Sequence, residues 1–566
     1  MIHSVRTALL SLFAALSPFF CMAVTDSTVV ISHGKPLDLP MSFAASYGEL
    51  RHDHFHGGLD FRTGGKTGDP IHSIKDGYVS RISVSTTGYG NGIYITHPDG
   101  TMSVYGHLLS FRNDIAERVL QEQYDKRSFS VNILLDPDEF PVKQGDVIGK
   151  VGNTGSSAGP HLHMEVRRDD GNTPFNYFRD GYYSVPDTQT PVIQRIAVYA
   201  WEDSTGIPVS RRLRMLSGKY SESVISVPAK SYLGIDAIDK MEGTTGRLGV
   251  EKYKVLLDGK PLFEFNVGDF NYDIDKYIRS TIATGETGMD FIKTQVDPGN
   301  LLAKTKIVAT NGGVIELDDY ERHKVTVECS DIFGNTARAV LYLRRDDSVK
   351  ADSPLGENIQ TVPMLWYTPN TLVLEGMSVA VPLGALYNNV AFQYGKIADA
   401  DTTLGFYSPV WQLGDDRLAL HTPFTVTIPV GYDEAITDKM LLARVSSDGK
   451  LSGAGGNVSD GMLSASVRPG IYCVARDTVA PVIKPAVQNG GKVTGSSFRI
   501  SASDDLSGIA KYEVLVDGEW TLSSLKNNSI TVYLSEDRLR RGRHGVEVTV
   551  TDAVGNSAVT SFEIVW

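Results

Sequence analysis

Five side chains at three places in the sequence have the types and spacing that a catalytic zinc centre needs. They are His56 with Asp60, then His107, then His161 with His163. Hydrolytic zinc sites usually take three protein ligands from histidine nitrogen and carboxylate oxygen and leave a fourth position for water. All five residues lie in the first third of the chain. The sequence therefore predicts one metal centre in this region.

The local spacing suggests which of these side chains bind the ion and which stand beside it. His56 and Asp60 have three residues between them, two of which are glycines, so the backbone can fold to turn both side chains toward one ion. His161 and His163 are two residues apart, and on a strand such residues point to the same face. One of the pair can bind the ion while the other stands beside it, and we expect His163 to be the third ligand.

Two histidines remain for acid and base chemistry. His107 follows a predicted strand and can approach the ion from the opposite wall, next to His161. Imidazole titrates near physiological pH, which suits proton transfer. Zinc lowers the pKa of its bound water toward about 7. The predicted reaction is attack of zinc-bound hydroxide on an amide carbonyl.

The sequence around these residues forms three blocks. Residues 56–60 are HGGLD, residues 105–108 are YGHL, and residues 152–165 are GNTGSSAGPHLHME. These blocks resemble those of the M23 family of zinc metallopeptidases, also called the lysostaphin or LytM type, over about residues 40–180. The resemblance implies that the metal ligands are His56, Asp60 and His163, with one Zn²⁺ per chain. It also implies that His107 and His161 are the catalytic histidines.

The same resemblance implies a substrate and a scaffold. The family cuts peptide bridges of bacterial cell-wall peptidoglycan, and its antiparallel β-sheet carries a groove for an extended peptide. We therefore expect an exported zinc metalloendopeptidase whose substrate is a peptidoglycan peptide. One departure is the insertion at residues 111–141, which is longer than the family usually has and can reshape one wall of the groove.

The alternative is a non-catalytic LytM-type protein that binds the wall or activates a partner hydrolase. Regulators of this type commonly lack some metal or catalytic residues, whereas all five are present here. Their presence favours catalysis. A purely structural surface protein would leave the five residues unexplained.

The N-terminus predicts export. Residues 1–23 carry Arg6, an apolar run over residues 8–20 and small residues before a cleavage point after Ala23, as in a secretory signal peptide. A lipoprotein with Cys21 as its first mature residue is the alternative. No later stretch is apolar enough for a membrane span, so the protein is expected in the periplasm or at the cell surface. The formal net charge of -13 argues against a nucleic-acid partner.

The remaining chain is predicted to be mostly β and to form three β-sandwich modules. We expect the N-terminal domain at residues 24–185, a first module at 186–346, a middle module at 347–476 and a last module at 477–566. The first and last modules share three motifs in the same order, beginning at Asp187 and Asp477, which indicates an internal duplication. Both resemble bacterial immunoglobulin-like modules. Extra residues between 265 and 314 lengthen the first copy, and the middle module is of uncertain type.

Smaller features of the sequence predict local structure. Residues 99–100, Asp-Gly between two strand patterns, predict a hairpin with a type I′ turn. Residues 113–126 have the apolar spacing of a short amphipathic helix. His33, His52, His54, His72 and His97 are interpreted as solvated or groove-rim side chains.

Several features of the sequence allow two interpretations. Cys329 and Cys473 are either separate buried thiols or one inter-domain disulfide, and the first is favoured. The basic run at residues 538–543 is either a solvated turn or a contact with an anionic envelope polymer. Asp504 and Asp505 are weak evidence for calcium, which needs six or more oxygen ligands. The modules have a possible envelope or protein partner that the sequence does not identify.

Overall fold

The computed structural model describes residues 33–566 except 52, 184, 186, 204, 223, 243, 245, 284–290, 352–354 and 434–436. The expected signal peptide and His52 therefore lie outside the described residues. The chain is mostly β, with 47% strand and 6% helix, which confirms the predicted fold class. Among the helices of the described residues, none is long and apolar enough to cross a lipid bilayer.

The N-terminal domain is built on one large and one small antiparallel sheet. Its elements are β1 (Phe43–Ala45), β2 (Leu59–Arg62), β3 (Pro70–His72), β4 (Gly77–Val84), β5 (Asn91–Thr96), β6 (Met102–Gly106), β7 (Ser110–Phe111), α1 (Asn113–Asp125), β8 (Val131–Leu134), β9 (Pro141–Val142), β10 (Val147–Lys150) and β11 (His161–Arg167). The large sheet has the order β1-β2-β11-β6-β5-β4-β8, with β9 paired to β4, and the small sheet has the order β3-β10-β7. β11 therefore lies inside the large sheet, between β2 and β6.

The predicted hairpin is present, but its turn is of another type. Strands β5 and β6 pair across residues 97–101. Gly100 has a φ of 85°, whereas Asp99 is not among the residues with positive φ. The prediction of a type I′ turn is therefore wrong, because that turn needs positive φ at both central residues. The Gly100 amide donates to the His97 carbonyl at 3.0 Å, as in a type I turn followed by a left-handed glycine.

The predicted helix at residues 113–126 is confirmed as α1. It buries Ile115, Val119 and Gln123 on one face. The spacing of these residues at four-residue intervals follows from the 3.6-residue period of an α-helix. The helix therefore covers one end of the core of the N-terminal domain while its charged face points outward.

The first module has two six-stranded sheets around one apolar core. Its elements are β12 (Val192–Glu202), β13 (Val209–Leu216), β14 (Val224–Val227), β15 (Lys230–Ile238), β16 (Lys252–Leu257), β17 (Lys260–Asn266), α2 (Tyr272–Asp275), α3 (Ile278–Thr281), β18 (Ile282–Ala283), β19 (Phe291–Lys293), α4 (Ala303–Lys306), β20 (Ile307–Ala309), a 3-10 helix (Thr310–Gly313), β21 (Ile315–Glu316), β22 (Arg322–Ser330) and β23 (Thr336–Arg345). The orders are β13-β12-β15-β19-β18, with β21 paired to β15, and β14-β23-β22-β16-β17-β20. The three short helices lie in the predicted insertion between residues 265 and 314.

The middle module also has two sheets around a core of its own. Its elements are β24 (Gln360–Met364), β25 (Asn370–Leu374), β26 (Met377–Val381), β27 (Val390–Ala398), a 3-10 helix (Thr402–Leu404), β28 (Val410–Leu413), β29 (Phe424–Pro429), β30 (Met440–Val445), β31 (Leu451–Gly455), β32 (Asn457–Ser459), β33 (Met462–Val467) and β34 (Gly470–Arg476). The orders are β24-β27-β28-β34-β30-β31 and β25-β26-β29-β33-β32. Cys329 of the first module and Cys473 on β34 are buried free thiols, as favoured from the sequence.

The last module is a smaller version of the first. Its strands are β35 (Val482–Pro485), β36 (Gly491–Lys492), β37 (Ser497–Ser503), β38 (Ile509–Val516), β39 (Glu519–Trp520), β40 (Ser523–Lys526), β41 (Ser529–Tyr533), β42 (Arg543–Asp552) and β43 (Ser557–Val565). The run β36-β43-β42-β38-β39 has the same order as β14-β23-β22-β16-β17. In both, the first pair of strands is parallel and the others are antiparallel. This shared topology supports an internal duplication, while the domain boundaries stay predictions.

The N-terminal domain and the first module share apolar contacts. Tyr47 and Phe55 lie in the apolar cluster of the first module. Met241 and Leu248 of the first module lie in the cluster of the N-terminal domain. Burying apolar side chains in each other's cores stabilises the arrangement of the two units by the hydrophobic effect. The two units therefore form one continuous packed structure.

Candidate metal centre

The pairing of β11 with its neighbours brings the distant blocks together. His163 on β11 lies opposite Asp60 on β2 and opposite Gly106 on β6. His107 follows Gly106 directly, and His161 precedes His163 by two residues on the same face of β11. The sheet register thus places all five predicted side chains at one end of three neighbouring strands.

The three predicted ligands converge on one point. His56 Nε2 lies 3.1 Å from Asp60 Oδ1 and 3.0 Å from His163 Nδ1. His163 Nδ1 lies 2.9 Å from Asp60 Oδ1. Both histidines are buried and Asp60 is nearly so. The structure therefore brings together the residues that the sequence predicted as metal ligands.

The hydrogen bonds around this triangle fit a cation at its centre. His56 Nδ1 faces the Ser46 carbonyl at 2.8 Å, and His163 Nε2 faces Glu165 Oε1 at 2.9 Å. Both partners are acceptors, so the proton of each neutral ring lies on that outer nitrogen. The inner nitrogens and the Asp60 carboxylate then point three lone pairs at each other. Two nitrogens and one carboxylate oxygen form a donor set that zinc binds well.

A second set of side chains holds His163 in place. Glu165 is fully buried and accepts hydrogen bonds from Tyr89, from Arg167 at 2.8 Å and from Tyr272 at 2.9 Å, in addition to His163. Metal-binding histidines commonly donate their outer N–H to a carboxylate, which fixes the orientation of the ring. Glu165 is placed to perform that role if His163 binds a metal, and Tyr272 reaches Glu165 from the first module.

The two glycines between His56 and Asp60 make room for close neighbours. A Cβ at Gly57 would lie 2.0 Å from the Tyr272 hydroxyl, and one at Gly58 would lie 2.3 Å from the Met164 carbonyl. The sequence predicted that these glycines let the backbone fold. The structure adds a steric reason, because β11 and the first module both approach this segment too closely for a side chain.

His107 and His161 lie side by side next to the ligands. Their ring centroids are 4.8 Å apart, and His161 Nε2 lies 3.6 Å from Asp60 Oδ1. His107 Nδ1 lies 2.9 Å from the Thr154 carbonyl, and His161 Nδ1 lies 2.8 Å from the Gly159 carbonyl. Each ring therefore donates from Nδ1 and keeps Nε2 as a proton acceptor.

The backbone at His107 is unusual. Its φ is 65°, a conformation that residues other than glycine rarely adopt. The His107 amide donates to the Tyr89 carbonyl at 2.7 Å, which helps to hold this conformation. Strained backbone of this kind occurs often at functional sites.

Burial and neighbouring charges shift the pKa values of the centre. Burial acts to lower the pKa of His163, but the hydrogen bonds to Asp60 and Glu165 prevail and raise it to about 9. Burial lowers the pKa of His107 to about 4, and His163 and His161 contribute to that shift. Burial acts to raise the pKa of Asp60, yet His56 and His163 hold it well below its usual range. These shifts favour the charged forms of His163 and Asp60 and a neutral imidazole at His107.

The other histidines of this region lie outside the centre. His54 is exposed and pairs with Asp53 at 2.7 Å, and His72 contacts the Gly145 carbonyl at 2.9 Å. The prediction of a solvated or groove-rim side chain is wrong for His97, which is only 3% exposed. Its two ring nitrogens contact the Asp76 carbonyl and Ser103 Oγ, so it is a hydrogen-bonded core residue.

The sequence interpretation missed the residues that support the ligands. Glu165 and Arg167 follow His163 at two-residue intervals on the same face of β11, so strand periodicity contained a signal for them. Tyr272 lies 107 residues beyond Glu165. Its contact depends on how two domains pack, and no local pattern in the sequence marks it.

Family models match two parts of the chain. Residues 54–124 and 133–176 match Peptidase family M23, and residues 361–477 match the Zu5-like domain. The gap in the first match, residues 125–132, runs from the end of α1 into the start of β8, within the insertion noted above. The second match assigns a domain type to the middle module, whose type was uncertain from sequence.

Several known proteins are similar to the N-terminal domain. The DD-carboxypeptidase/endopeptidase Mpg of Neisseria meningitidis is 32% identical over 112 residues, or 20% of this chain and 20% of that protein. The cell division protein DipM of Caulobacter vibrioides is 25% identical over 147 residues, or 26% of this chain and 20% of that protein. The chain thus spans about a fifth of these relatives. The catalytic domain of the prophage-encoded M23 protein EnpA from Enterococcus faecalis shares 26% identity, covering 24% of this chain and 90% of that domain, with a TM-score of 0.19.

Proposed function

Because the N-terminal domain is a Peptidase family M23 domain, we propose that the chain is an exported zinc metalloendopeptidase that hydrolyses peptide cross-bridges of bacterial peptidoglycan. The observation that carries the proposal is the convergence of His56 Nε2, Asp60 Oδ1 and His163 Nδ1 within 3.1 Å of each other. The name of the DD-carboxypeptidase/endopeptidase relative supports peptide hydrolysis as the chemistry.

In this proposal His56, Asp60 and His163 hold one zinc ion. A zinc ion in such a site polarises a carbonyl and lowers the pKa of coordinated water. Glu165 keeps His163 Nε2 protonated through the contact at 2.9 Å, so that Nδ1 stays free to bind. The Ser46 carbonyl does the same for His56 at its Nδ1 atom.

His107 and His161 are the proposed catalytic residues. His107 is neutral at neutral pH, since its pKa is lowered to about 4 by burial and by the two neighbouring histidines. Its Nε2 atom can therefore accept a proton from attacking water and return it to the leaving amine. His161 Nε2 lies 3.6 Å from Asp60 Oδ1 and is a proton acceptor in the neutral ring. Once it has taken up a proton, it can donate a hydrogen bond to the charge that develops on the carbonyl oxygen.

Substitutions at single histidines test these roles. His163→Ala removes a metal ligand, so we expect loss of bound zinc together with loss of hydrolysis. His161→Ala leaves the three ligands in place, so zinc should remain while hydrolysis falls by about 100-fold or more, as for loss of acid-base catalysis. Zinc content is measured by metal analysis of the purified full chain, and hydrolysis by the release of new amino groups from isolated peptidoglycan.

His72→Ala is the matched control, because His72 lies in the same domain and outside the centre. It should retain both zinc and activity. A chelator should stop amino-group release by the wild-type protein, and added zinc should restore it. Full activity of His161→Ala would contradict the assigned role, and mass analysis of the digest would identify the bond that is cut.

A regulatory role is the second candidate, and the similarity to the cell division protein DipM is the observation that favours it. In that case the wild-type protein would bind zinc but release no amino groups from any peptidoglycan type tested. Stimulation of a purified wall hydrolase by the intact chain would then support the regulatory role.

A further inference from the structure

Three aspartates meet at one end of the first module. Asp187 lies in the segment before β12, Asp239 directly follows β15, and Asp331 directly follows β22. β15 and β22 belong to the two different sheets of the module. One carboxylate oxygen of each residue lies within 4.8 Å of those of the other two. The cluster therefore joins both sheets to the segment that arrives from the N-terminal domain.

Two of these residues are buried, Asp187 is partly exposed, and the cluster is incompletely hydrogen-bonded. Asp239 and Asp331 are each only 4% exposed. Asp239 Oδ1 and Asp187 Oδ2 are shielded from solvent, and no hydrogen-bond donor among the described residues reaches either atom. An unpaired buried charge is costly, because the protein does not replace the hydration that the group loses. Two shielded carboxylate oxygens of the cluster thus have no protein partner, and a bound cation would supply one.

The charges near the cluster have the same sign. The charged groups that act on Asp239 are Asp331 and Asp187, and those that act on Asp187 are Asp331 and Glu242. Within the described part of the chain, none of the three aspartates has a lysine or arginine as its ion-pair partner. Like charges at this distance repel each other strongly when they are screened from water. A divalent cation would convert that repulsion into attraction.

The cluster is also held in a fixed geometry. Asp331 Oδ1 accepts from the Phe333 and Asn335 amides at 2.8 and 2.9 Å. The Asn335 side chain donates to Asp331 Oδ2 at 2.7 Å and to the Asp187 carbonyl at 3.3 Å. One asparagine therefore connects two of the three acidic residues, so a bound ion would require little rearrangement.

The last module has a related cluster at the same end. Asp477, Asp504 and Asp505 have oxygens within 4.8 Å of each other, and Asp504 Oδ1 is also buried without a partner. Asn556 donates to the Asp477 carbonyl at 3.1 Å, as Asn335 does to Asp187. Asp477 Oδ2, however, accepts from the Ser507 amide at 3.0 Å. Protein hydrogen-bond donors thus satisfy the carboxylates of the last module more fully. The cluster of the first module is therefore the stronger candidate for an ion site.

We propose that Asp187, Asp239 and Asp331 bind a calcium ion that fixes the first module to the segment leaving the N-terminal domain. Calcium takes six to eight oxygen ligands, accepts carboxylates as single or double donors, and tolerates irregular geometry. Magnesium requires nearly ideal octahedral geometry, and zinc prefers nitrogen and sulfur. A shared proton is the competing way to offset the charge, since burial raises the pKa of Asp239 to about 8.

Calcium titration of the full chain tests the proposal. The protein is first saturated with zinc, so that the candidate metal centre is filled, and calcium chloride is then titrated up to about 10 mM by isothermal calorimetry at pH 7.5. Extracellular calcium modules bind at about 10⁻⁴ to 10⁻³ M, and we expect an affinity in that range. Asp239→Asn should lose one calcium ion per chain. It should also lose a calcium-dependent rise in Tm of about 2–5 °C.

Asp318→Asn is the matched control, since Asp318 is an exposed carboxylate of the same module. It should bind calcium as the wild-type protein does. Without calcium, Asp239→Asn should melt no lower than the wild-type protein, because the substitution removes repulsion. If Asp239→Asn fails to fold, the same calcium titration of Asp187→Asn tests the proposal instead. Absence of calcium binding to the wild-type protein, unchanged binding by the folded variant, or equal loss in the control would overturn the proposal.

Discussion

At the level of single residues, the side chains that hold His163 in place come from two domains. His163 contacts Glu165, and Glu165 accepts from Tyr272 of the first module at 2.9 Å. Arg167 lies between the two, with its guanidinium carbon 4.9 Å from the centre of the Tyr272 ring. The orientation of this candidate metal ligand therefore depends on a residue outside the N-terminal domain.

Tyr272→Phe removes one hydroxyl from this chain of contacts. Glu165 keeps its other donors, so we expect the fold to persist while Glu165 and His163 become less firmly held. Loss of a group that supports a metal ligand typically lowers metal affinity by about 10- to 100-fold, and we expect the lower end of that range. Competition with a chelating zinc indicator measures the change.

Tyr220→Phe is the control for this prediction. It removes the same atom from the same module, where the Tyr220 hydroxyl donates to the Ile193 carbonyl at 2.8 Å. Zinc affinity should not change in this variant. An equal loss of affinity in both variants would show that a general loss of stability is responsible.

The candidate ligands could be predicted from the sequence because they form local patterns. The residues that support them could not, because their contacts join distant segments of the chain. His56 and Asp60, like His161 and His163, are close in sequence and carry recognisable chemistry. Tyr272 is one of 25 tyrosines, and nothing in its neighbourhood distinguishes it. Only the packing of the first module on the N-terminal domain gives it a role.

At the level of elements, two loops position His107. The turn at residues 88–90 and the loop at residues 154–156 are joined by the Ser156 amide, which donates to the Gly88 carbonyl at 2.8 Å. Thr154 in the second loop accepts from His107 Nδ1 at 2.9 Å. Gly155 has a φ of 68°, and a Cβ there would lie 2.2 Å from the Gly90 amide nitrogen.

Gly155→Ala should therefore force the two loops apart. The Thr154 carbonyl would shift away from His107, and a displacement of about 1 Å in a catalytic group can lower the rate about 100-fold. Zinc should be retained, because none of the three ligands lies in these loops. The measurements are the rate of amino-group release and the zinc content.

Gly65→Ala controls for backbone strain in this test. Gly65 has a φ of 73°, but a Cβ added there would have no atom within 4 Å. The substitution costs roughly 1–2 kcal/mol of stability through its left-handed conformation alone. It should leave the rate of hydrolysis close to that of the wild-type protein. Equal loss of activity in both variants would exclude loop displacement as the cause.

Elements with a strong periodic pattern were predictable, and those set by tertiary contacts were less so. The helix at residues 113–125 and the hairpin around Gly100 follow from apolar spacing and turn residues. The type of the hairpin turn did not follow, because Asp-Gly also fits a longer loop with one left-handed residue. The burial of His97 was not predicted either, because its partner Ser103 lies on the next strand and local sequence does not mark that contact.

At the scale of the whole molecule, the last module returns to the N-terminal domain. Trp520 packs edge-on against Tyr124 of α1 with ring centroids 5.2 Å apart, and Tyr533 stacks on Phe129. Arg538, from the basic run noted in the sequence, lies 4.3 Å from the Tyr124 ring. Arg538 therefore contacts another domain. This differs from both interpretations made from the sequence, a solvated turn and a contact with an anionic polymer.

This contact also reaches the loop that positions His107. Lys526 Nζ donates to the Gly155 carbonyl at 2.7 Å. The last module thus contacts the N-terminal domain both at the inserted helix and next to the candidate metal centre. Docking of the module and the position of the loop are therefore expected to be coupled.

Substitutions at Trp520 and Lys526 test that coupling. Trp520→Ala removes the aromatic contact, worth about 0.5–1.5 kcal/mol beyond its buried area, and should loosen the module. Lys526→Met removes the bond to Gly155 while keeping much of the side chain. Each variant should lower the rate of amino-group release by about 2- to 10-fold, or roughly 0.4–1.4 kcal/mol, without loss of zinc. This is less than the roughly 1.5–3 kcal/mol of a charged hydrogen bond, because the contact acts on His107 only through the loop.

The double variant distinguishes coupled from independent effects. If docking of the last module positions the loop, releasing the module with Trp520→Ala already breaks the Lys526 contact, and the double variant should be no slower than the slower single variant. Independent contacts would instead multiply the two losses. Val559→Ala, at an exposed apolar position of the same module, is the control and should keep the wild-type rate. Small-angle scattering should show a larger radius of gyration for Trp520→Ala, and an unchanged radius with an unchanged rate would refute the coupling.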